Sequence, residues 1–340
     1  MVEKLLVPFE ASDVFLLVEK LRAMYSEGEA QLTLAGIKAK PYPILRIGGR
    51  LVRGLPVSDS RLRYLEPIQH RRRVAAVDAS IKTLFDLGSA RIVESKVVAG
   101  VWRGFERESV IGPYKRLALV RDKEEAGEWL LRVELEFAYR VAQRLRAGDY
   151  LLLDRGLAIP PYLKDSTIRT FNKLERLLVS KGAVLVGIPK KCRIKLNTGE
   201  SLIGYVVSLA ERRLPGVSWY YYPVFSESVM PEWMYGEIVI AKFSEFSEAA
   251  FRVDASEQCL RTRDMERVMG ELAFIQDLAT PGYPYPLKAV HDMSRIGDHE
   301  ADLDRLRLLE IIRREKLDKF FAADLQSTAF KEKYLWGDLF

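Results

Sequence analysis

The chain has 340 residues, of which 48% are hydrophobic and 29% charged, a composition typical of a folded globular protein with one large or two ordinary domains. This apolar content excludes intrinsic disorder, and no apolar run approaches the roughly 18 residues that a membrane span needs. The formal net charge of +6 permits an anionic partner without requiring one.

The first 70 residues are predicted to form an extension with a helix and a β-hairpin. Residues 8–27 carry apolar side chains at helical spacing, which predicts an amphipathic helix. Between residues 44 and 57, Gly48 and Gly49 separate two alternating apolar stretches, a pattern typical of a hairpin. Basic groups near strand ends are well placed for phosphate contact, and five arginines precede the next apolar run: Arg61, Arg63, Arg71, Arg72 and Arg73.

A compact α/β pattern is predicted over residues 71–200. Three apolar strands come first, followed by helix, strand, helix and strand, at 74–77, 90–102, 117–120, 127–147, 150–153, 165–181 and 183–188. The first three strands favour an antiparallel meander, and right-handed crossovers would add the last two in parallel. This order predicts an RNase H-like mixed sheet flanked by helices. A Rossmann domain or a P-loop NTPase is not supported, because the chain lacks the glycine-rich motifs of those folds.

The remainder of the chain, residues 201–340, is predicted to be an α+β part that packs on this core and completes its site. Strands are predicted at 219–225, 237–243 and 250–253. Helices are predicted from about Arg263 to Ala279, around His291, and over about 300–322. No low-complexity linker separates these elements from the core, so we expect them to pack against it.

Two aspartates follow apolar strands of the predicted core. Asp78 comes after residues 74–77 and Asp154 after residues 150–153, at the carboxyl ends where open α/β sheets bind ligands. These strands would be parallel neighbours, so the two carboxylates would lie side by side. Because close like charges raise each other's pKa unless a cation lies between them, we expect a hard divalent ion there, Mg²⁺ or Mn²⁺.

A third carboxylate and a histidine complete the predicted site. Glu134 and Glu136 lie in an otherwise apolar helical segment, and Glu134 is preferred because it falls on the packed side. His291, one of three histidines, follows a proline-rich segment that makes the start of its helix rigid, and it could ligate a metal or carry a proton. Ordinary alternatives stay open: a strand-end aspartate can cap a turn, and a helical glutamate can face solvent.

Four segments carry a family resemblance: AVDAS at 76–80, LLLDRGL at 151–157, VGIPKK at 186–191 and GYPYPLKAVHD at 282–292. In this order they resemble the NurA nucleases, archaeal enzymes with an RNase H-like core. The resemblance implies a manganese-dependent nuclease acting on DNA ends, and a homodimer that works with the hexameric HerA ATPase in double-strand-break end resection. It matches metal-binding residues of the family to Asp78, Glu134 (or Glu136), Asp154 and His291.

The chain also departs from the family pattern. The family commonly shows Asp-Gly-Ser after its strands, whereas here Asp78 precedes Ala79 and Asp154 precedes Arg155. Arg155 would therefore contact phosphate or pair with a carboxylate. The glutamate is not fixed by the resemblance, and Glu94 on the second strand is a further acidic candidate.

The predicted chemistry is hydrolysis of a DNA phosphodiester with two Mn²⁺ or Mg²⁺ ions about 3.5–4 Å apart, bridged by Asp78. Lys190 or Lys191 would neutralise the phosphate, and Arg155 and Tyr285 are further candidate DNA contacts.

Two other functions remain as alternatives to the nuclease. An actin- or sugar-kinase-like ATPase shares the core but needs glycine-rich phosphate loops, which Asp78-Ala79-Ser80 lacks. A non-catalytic DNA-binding partner of a translocase would use the acidic residues only in caps and ion pairs. For the nuclease we expect a cytoplasmic, nucleoid-associated location without a membrane anchor, because the first residues carry no secretion signal.

Overall fold

The computed structural model describes residues 12–20, 33–34, 37–38, 40–47, 49–260, 264–317 and 321. Its strands are β1 (Thr33–Leu34), β2 (Ile37–Lys38), β3 (Pro43–Ile47), β4 (Arg50–Arg53), β5 (Leu62–Tyr64), β6 (Arg73–Asp86), β7 (Arg91–Arg103), β8 (Glu106–Val120), β9 (Tyr150–Leu153), β10 (Val184–Gly187), β11 (Lys195–Leu196), β12 (Trp219–Tyr221), β13 (Gly236–Lys242) and β14 (Phe251–Ser256). Its helices are α1 (residues 12–20), α2 (Lys123–Ala142), α3 (Asp165–Lys181), α4 (Leu202–Arg213), α5 (Glu257–Leu260), α6 (Met265–Phe274), α7 (Tyr285–Ser294) and α8 (Asp298–Arg314), with short 3-10 turns at Asp59–Arg61 and Glu227–Val229.

A nine-stranded mixed sheet forms the centre of the fold, in the order β5-β12-β13-β14-β10-β9-β6-β7-β8. Antiparallel pairing joins β6, β7 and β8, whereas β9 lies parallel to β6 and β10 lies parallel to β9. Helix α2 connects β8 to β9, and α3 connects β9 to β10. The structure therefore confirms the predicted RNase H-like order of a meander followed by two parallel strands.

The two parallel strands are short apolar runs that are wholly buried. Every residue of β9 and of β10 is buried, as expected for strands at the middle of an α/β sheet. Helix α2 packs on α3 and on strands β6 and β7, and its buried side chains include Val133, Leu135 and Phe137. Helix α3 ends at Gly182, whose φ of 64° is the left-handed conformation that glycine adopts most readily.

Two of the three antiparallel strands, β6 and β8, extend well beyond their apolar runs, whereas β7 lies almost where it was predicted. Strand β6, predicted at 74–77, continues through Asp78 to Asp86, and β8 begins at Glu106 rather than Leu117. The added lengths carry charged residues, which a hydrophobic pattern does not register as strand. Ion pairs with α8 neutralise a lysine in each added length, Lys82 with Asp298 and Lys115 with Asp304. On β7, Lys96 pairs with Glu300 of the same helix.

The strands that follow residue 200 continue the same sheet. Strand β14 pairs antiparallel with β10, with Ala255 opposite Val186, and β13 and β12 follow outward. Strand β5, from the N-terminal part, pairs with β12 at the edge. Strands from all three predicted parts of the chain therefore share one sheet.

The ends of the chain are described only in part. The predicted hairpin is present as β3 and β4, which pair with β11 in a separate three-stranded sheet; Gly49 has a φ of 74°, and Gly48 lies outside the described residues. Of the helix predicted over 8–27, residues 12–20 are helical and the rest lies outside the described part, as do Arg263 and residues 318–320 and 322 of the other predicted helices. Within the described ranges, every helix is too short or too polar to cross a membrane.

Candidate metal centre

The register between β6 and β9 brings Asp78 and Asp154 side by side. Val77 lies opposite Leu153 where the two strands run parallel, so the next residue in each is an aspartate. The strand-end prediction holds for Asp154 but is wrong for Asp78, because β6 continues with β7 as its partner and only its pairing with β9 stops before Asp78. Both side chains are buried, with exposures of 6% for Asp78 and 1% for Asp154.

Helix α7 supplies two side chains that contact Asp78. His291 Nδ1 lies 2.9 Å from Asp78 Oδ2, and the Ser294 hydroxyl donates to the same oxygen at 2.8 Å. A spacing of three residues places His291 and Ser294 on one face of the helix. The predicted rigid start is present: Pro284 caps α7 and Pro286 lies in its first turn, where the helix does not use its missing N–H.

Three of the predicted ligands form a group that is compact enough for one ion. A ligand atom from each of Asp78, Asp154 and His291 lies within 4.8 Å of the other two. Carboxylate oxygens and an imidazole nitrogen are a donor set that suits Mn²⁺, and Mg²⁺ takes carboxylates together with water. Burial raises the pKa of Asp154, the contact with Lys190 opposes this, and the charge of Asp78 adds to it. A cation between the two carboxylates would relieve their repulsion.

Glu134 lies beside these groups on α2. Its carboxylate is 2% exposed, and one oxygen forms an ion pair with Arg155. The other oxygen, Oε1, is buried without a hydrogen-bond partner in the described part of the chain. Burial raises the pKa of Glu134 to about 7, with Arg155 opposing the shift and the charges of Asp78 and Asp154 adding to it. A divalent ion would satisfy a buried carboxylate oxygen that has no partner and lies next to two like charges. The residues present therefore fit a divalent ion.

Lys190 reaches into the same group from the segment that follows β10. Its Nζ lies 2.7 Å from Asp154 Oδ2, 3.2 Å from His291 Nδ1 and 4.0 Å from Asp78 Oδ1. Burial alone would lower the pKa of this ammonium group, but the contact with Asp154 and the charge of Asp78 raise it above its ordinary value. The predicted phosphate-binding lysine is thus an ion-pair partner of the aspartates.

Two site residues were not among those predicted from sequence. Ser294 lies one helical turn after His291, and this spacing is the signal that would have identified it. Burial and the nearby charge of Asp154 raise the pKa of the Tyr283 hydroxyl, so this tyrosine lies beside the site. Tyr283 belongs to the same GYPYPL segment as Tyr285, the tyrosine predicted to contact DNA.

The two alternative glutamates have partners elsewhere. Glu136 forms an ion pair at 3.3 Å with Arg116 on β8. Glu94, buried on β7, forms one at 3.0 Å with Lys115. Of the three candidate glutamates, Glu134 is the one whose charge interacts with both Asp78 and Asp154.

The three remaining predicted DNA contacts are Arg155, Tyr285 and Lys191, and each has different neighbours. The Arg155 side chain pairs with Glu134, which is one of the two roles left open for it. The Tyr285 ring packs edge-to-face on Trp102, with centroids 6.4 Å apart, and both line a cavity of about 420 Å³ with Arg107. Lys191 is exposed beside Lys190.

The arginines that precede β6 lie at the opposite end of its buried segment from Asp78. Arg73 is the first residue of the strand and pairs with Glu108, while Arg72 pairs with Glu271. Arg72 and Arg73 are therefore held in ion pairs away from the two aspartates, and phosphate contact by the arginine cluster stays a prediction.

A buried ion pair on β14 holds the turn that follows Asp154. Arg252 donates to both oxygens of Asp254, and the Asp254 Oδ2 also accepts from the backbone N–H of Leu157. A side chain at Gly156 would lie 2.8 Å from Asp254 Oδ2, and one at Gly187 would overlap the Arg155 carbonyl oxygen. The turn that carries Asp154 and Arg155 is therefore fixed by close backbone packing.

Comparison with known proteins gives a likeness of fold. No protein-family model and no curated protein matches the chain. A structure of NurA aligns with a TM-score of 0.52 at 8% identity, over 77% of this chain and 92% of that one. NurA with manganese aligns at 0.49 and 10% identity, over 75% and 92%, and the NurA nuclease from Sulfolobus solfataricus at 0.48 and 15% identity, over 76% and 89%. The alignment at 0.52, together with the strand order, shows that this chain has a NurA-like fold.

Proposed function

We propose that the protein is a divalent-metal-dependent nuclease that hydrolyses DNA phosphodiester bonds. The observation that carries the proposal is the compact group of Asp78, Asp154 and His291 with the buried Glu134 beside it. Burial raises the pKa values of Asp154 and Glu134, and perturbed pKa values cluster at functional sites. The NurA-like fold supports the same activity, and a NurA structure has been determined with manganese.

Each side chain has a role that follows from its position. Asp78 and Asp154 would hold Mn²⁺ or Mg²⁺, in a two-ion arrangement that Glu134 and His291 complete. When bound, such ions stabilise charge on the phosphate and lower the pKa of a coordinated water. Arg155 favours the ionised form of Glu134. His291, whose side chain is 41% exposed, can pass a proton between the site and solvent.

The DNA strand would approach the ends of the central strands β9 and β10, where these groups lie. Lys190 and Lys191 follow β10 and provide positive charge for phosphates, which contribute most of the affinity in binding that does not depend on base sequence. Tyr285 lies on the helix that carries His291 and offers a ring for stacking on an unpaired base.

A finer proposal concerns partners and pathway. We propose a homodimer that acts at DNA ends with a HerA-type hexameric ATPase in double-strand-break resection, in a cytoplasmic, nucleoid-associated setting. Its support is the resemblance in the four segments that include AVDAS and GYPYPLKAVHD. Light scattering should give the mass of a dimer, and a HerA-type ATPase with ATP should accelerate degradation of linear DNA. A monomer whose activity the ATPase does not change would contradict this part.

The nuclease itself is tested by cleavage of end-labelled single- and double-stranded DNA. The wild-type protein should cut with Mn²⁺ or Mg²⁺ and stop cutting in EDTA. Asp78→Asn and Asp154→Asn should each lower the rate by on the order of a hundredfold or more, because each removes a charged ligand. Asp302→Asn, the same change at an exposed position on α8, should not alter it.

Two outcomes would contradict the proposal. DNA binding without cleavage in any divalent ion would favour a non-catalytic partner of a translocase. Turnover of ATP without cleavage of DNA would favour an actin- or sugar-kinase-like ATPase.

A further inference from the structure

The Lys190 ammonium group lies among the side chains that would hold an ion. Its Nζ is 2.7 Å from Asp154 Oδ2, 3.2 Å from His291 Nδ1 and 4.0 Å from Asp78 Oδ1. Those side chains are the same three whose ligand atoms lie within 4.8 Å of one another. An ion bound by this set would therefore lie close to the present position of the ammonium group. Two cations cannot share so small a space, so one excludes the other.

The contacts of the ammonium group have a physical cause. Two buried carboxylates at adjacent strand positions repel each other, and removing charges from water is costly unless a counter-charge is close. Lys190 provides that counter-charge. Arg155 cannot do so in its present position, because its guanidinium group pairs with Glu134.

The lysine can also leave without disturbing the fold. Its side chain is 53% exposed, and its flexible four-carbon stem reaches the site from the segment that follows β10. By contrast, the side chains of Asp78, Asp154 and Glu134 are almost wholly buried and keep their positions. The lysine can therefore move without any movement of the buried carboxylates.

We propose that Lys190 is an exchangeable counter-cation, which occupies the place of the divalent ion in the metal-free protein and moves out when the ion binds. This inference rests on the proposed metal-dependent function and deepens it. In the metal-free state the ammonium group stabilises the acidic pair; in the loaded state it is free to contact the phosphate of the substrate. Affinity for the ion is weaker than the carboxylates alone would give, because the ion must first displace the lysine.

The test is Mn²⁺ binding by titration calorimetry to metal-free protein, with Lys190→Met and Lys191→Met compared. Methionine keeps most of the stem and removes the charge. Lys190→Met should lower the Kd for Mn²⁺ by about tenfold, since no ammonium group has to be displaced. Lys191→Met, the same change at the exposed neighbouring lysine, should leave the Kd for Mn²⁺ unchanged within about twofold.

A second readout is thermal unfolding. In EDTA, Lys190→Met should melt at a lower temperature than wild type, because the buried aspartates lose their counter-charge, and saturating Mn²⁺ should remove that difference. If Lys190→Met does not fold without metal, Lys190→Gln provides the same comparison. An unchanged or higher Kd in the Lys190 variants would overturn the exchange. Failure of the wild-type protein itself to bind Mn²⁺ would instead overturn the proposed function.

Discussion

Glu134 and Glu136 on α2 show that the surroundings of a glutamate determine whether it belongs to the site. Glu134 is 1% exposed, and burial raises the pKa of its carboxyl to about 7. Glu136, two positions later, has a side chain that is 34% exposed and forms a surface ion pair with Arg116. An exposed ion pair contributes little free energy, whereas a buried carboxylate next to two aspartates changes the electrostatics of the whole site.

Glu134→Gln should lower the rate of metal-dependent DNA cleavage by about 10–100-fold, because it removes a negative charge that would help to hold the ion. Glu136→Gln is the matched change on the same helix and should keep the rate within about twofold of wild type. Cleavage rates at saturating Mn²⁺ make the comparison. Equal losses in both variants, or a loss in Glu136→Gln alone, would contradict the assignment of Glu134.

Glu175 on α3 provides a pH test away from the site. It is 7% exposed, its Oε1 has no hydrogen-bond partner within the described residues, and burial raises the pKa of its carboxyl. Because the folded-state pKa lies above the unfolded value, the folded protein keeps a proton that the unfolded chain has lost. The contribution of Glu175 to the free energy of unfolding is therefore present below the unfolded pKa and falls as the pH rises through the folded pKa.

Glu175→Gln should accordingly gain stability over wild type as the pH rises from about 4 to about 8. Urea unfolding of the metal-free protein at both pH values measures the difference. Glu211→Gln, at an exposed position on α4, should show the same difference from wild type at both. A Glu175→Gln difference that does not depend on pH would show that the carboxyl is not held protonated by burial.

At the scale of single elements, the turn between β9 and α3 determines where Asp154 and Arg155 lie. Strand β10 packs so closely against this turn that a side chain at Gly187 would overlap the Arg155 carbonyl oxygen. On the other side, Asp254 accepts from the N–H of Leu157 at 2.9 Å. The acidic site therefore depends on the fit of four strands, since β6 and β9 bring the aspartates together and β10 and β14 hold the turn.

Gly187→Ala should lower the free energy of unfolding by about 1–3 kcal/mol and reduce cleavage, because backbone has to move to admit the methyl group. Gly127→Ala on α2 is the matched change, with nothing within 4 Å of the added carbon. It should raise the free energy of unfolding by about 0.5–1 kcal/mol, since alanine favours a helix interior. Urea unfolding and cleavage assays measure both; a neutral Gly187→Ala would contradict the close packing of the turn.

At the scale of the whole molecule, the apolar runs were sufficient to predict the RNase H-like order and the adjacency of Asp78 and Asp154. Strands β9 and β10 are wholly apolar, so both their presence and their parallel pairing could be predicted. The long ends of β6 and β8 could not, because their charged residues are satisfied by α8, far along the chain. For the same reason the joining of β14 to β10 was missed: pairing between distant strands leaves no mark in a local pattern.

The site was predictable to a similar extent. Asp78, Asp154 and His291 carry the signals of strand ends and of an unusual proline-rich segment, and the structure brings their ligand atoms together. Tyr283 and the counter-ion role of Lys190 depend on three-dimensional contacts with Asp154, which sequence spacing does not report.

The most direct test of the central claim is a crystal structure of the protein soaked in Mn²⁺, with anomalous scattering used to locate the ion. We expect an anomalous peak within coordination distance of the Asp78 and Asp154 carboxylates, with His291 or Glu134 among the further ligands of the ion. Manganese bound elsewhere while these aspartates coordinate nothing would contradict it.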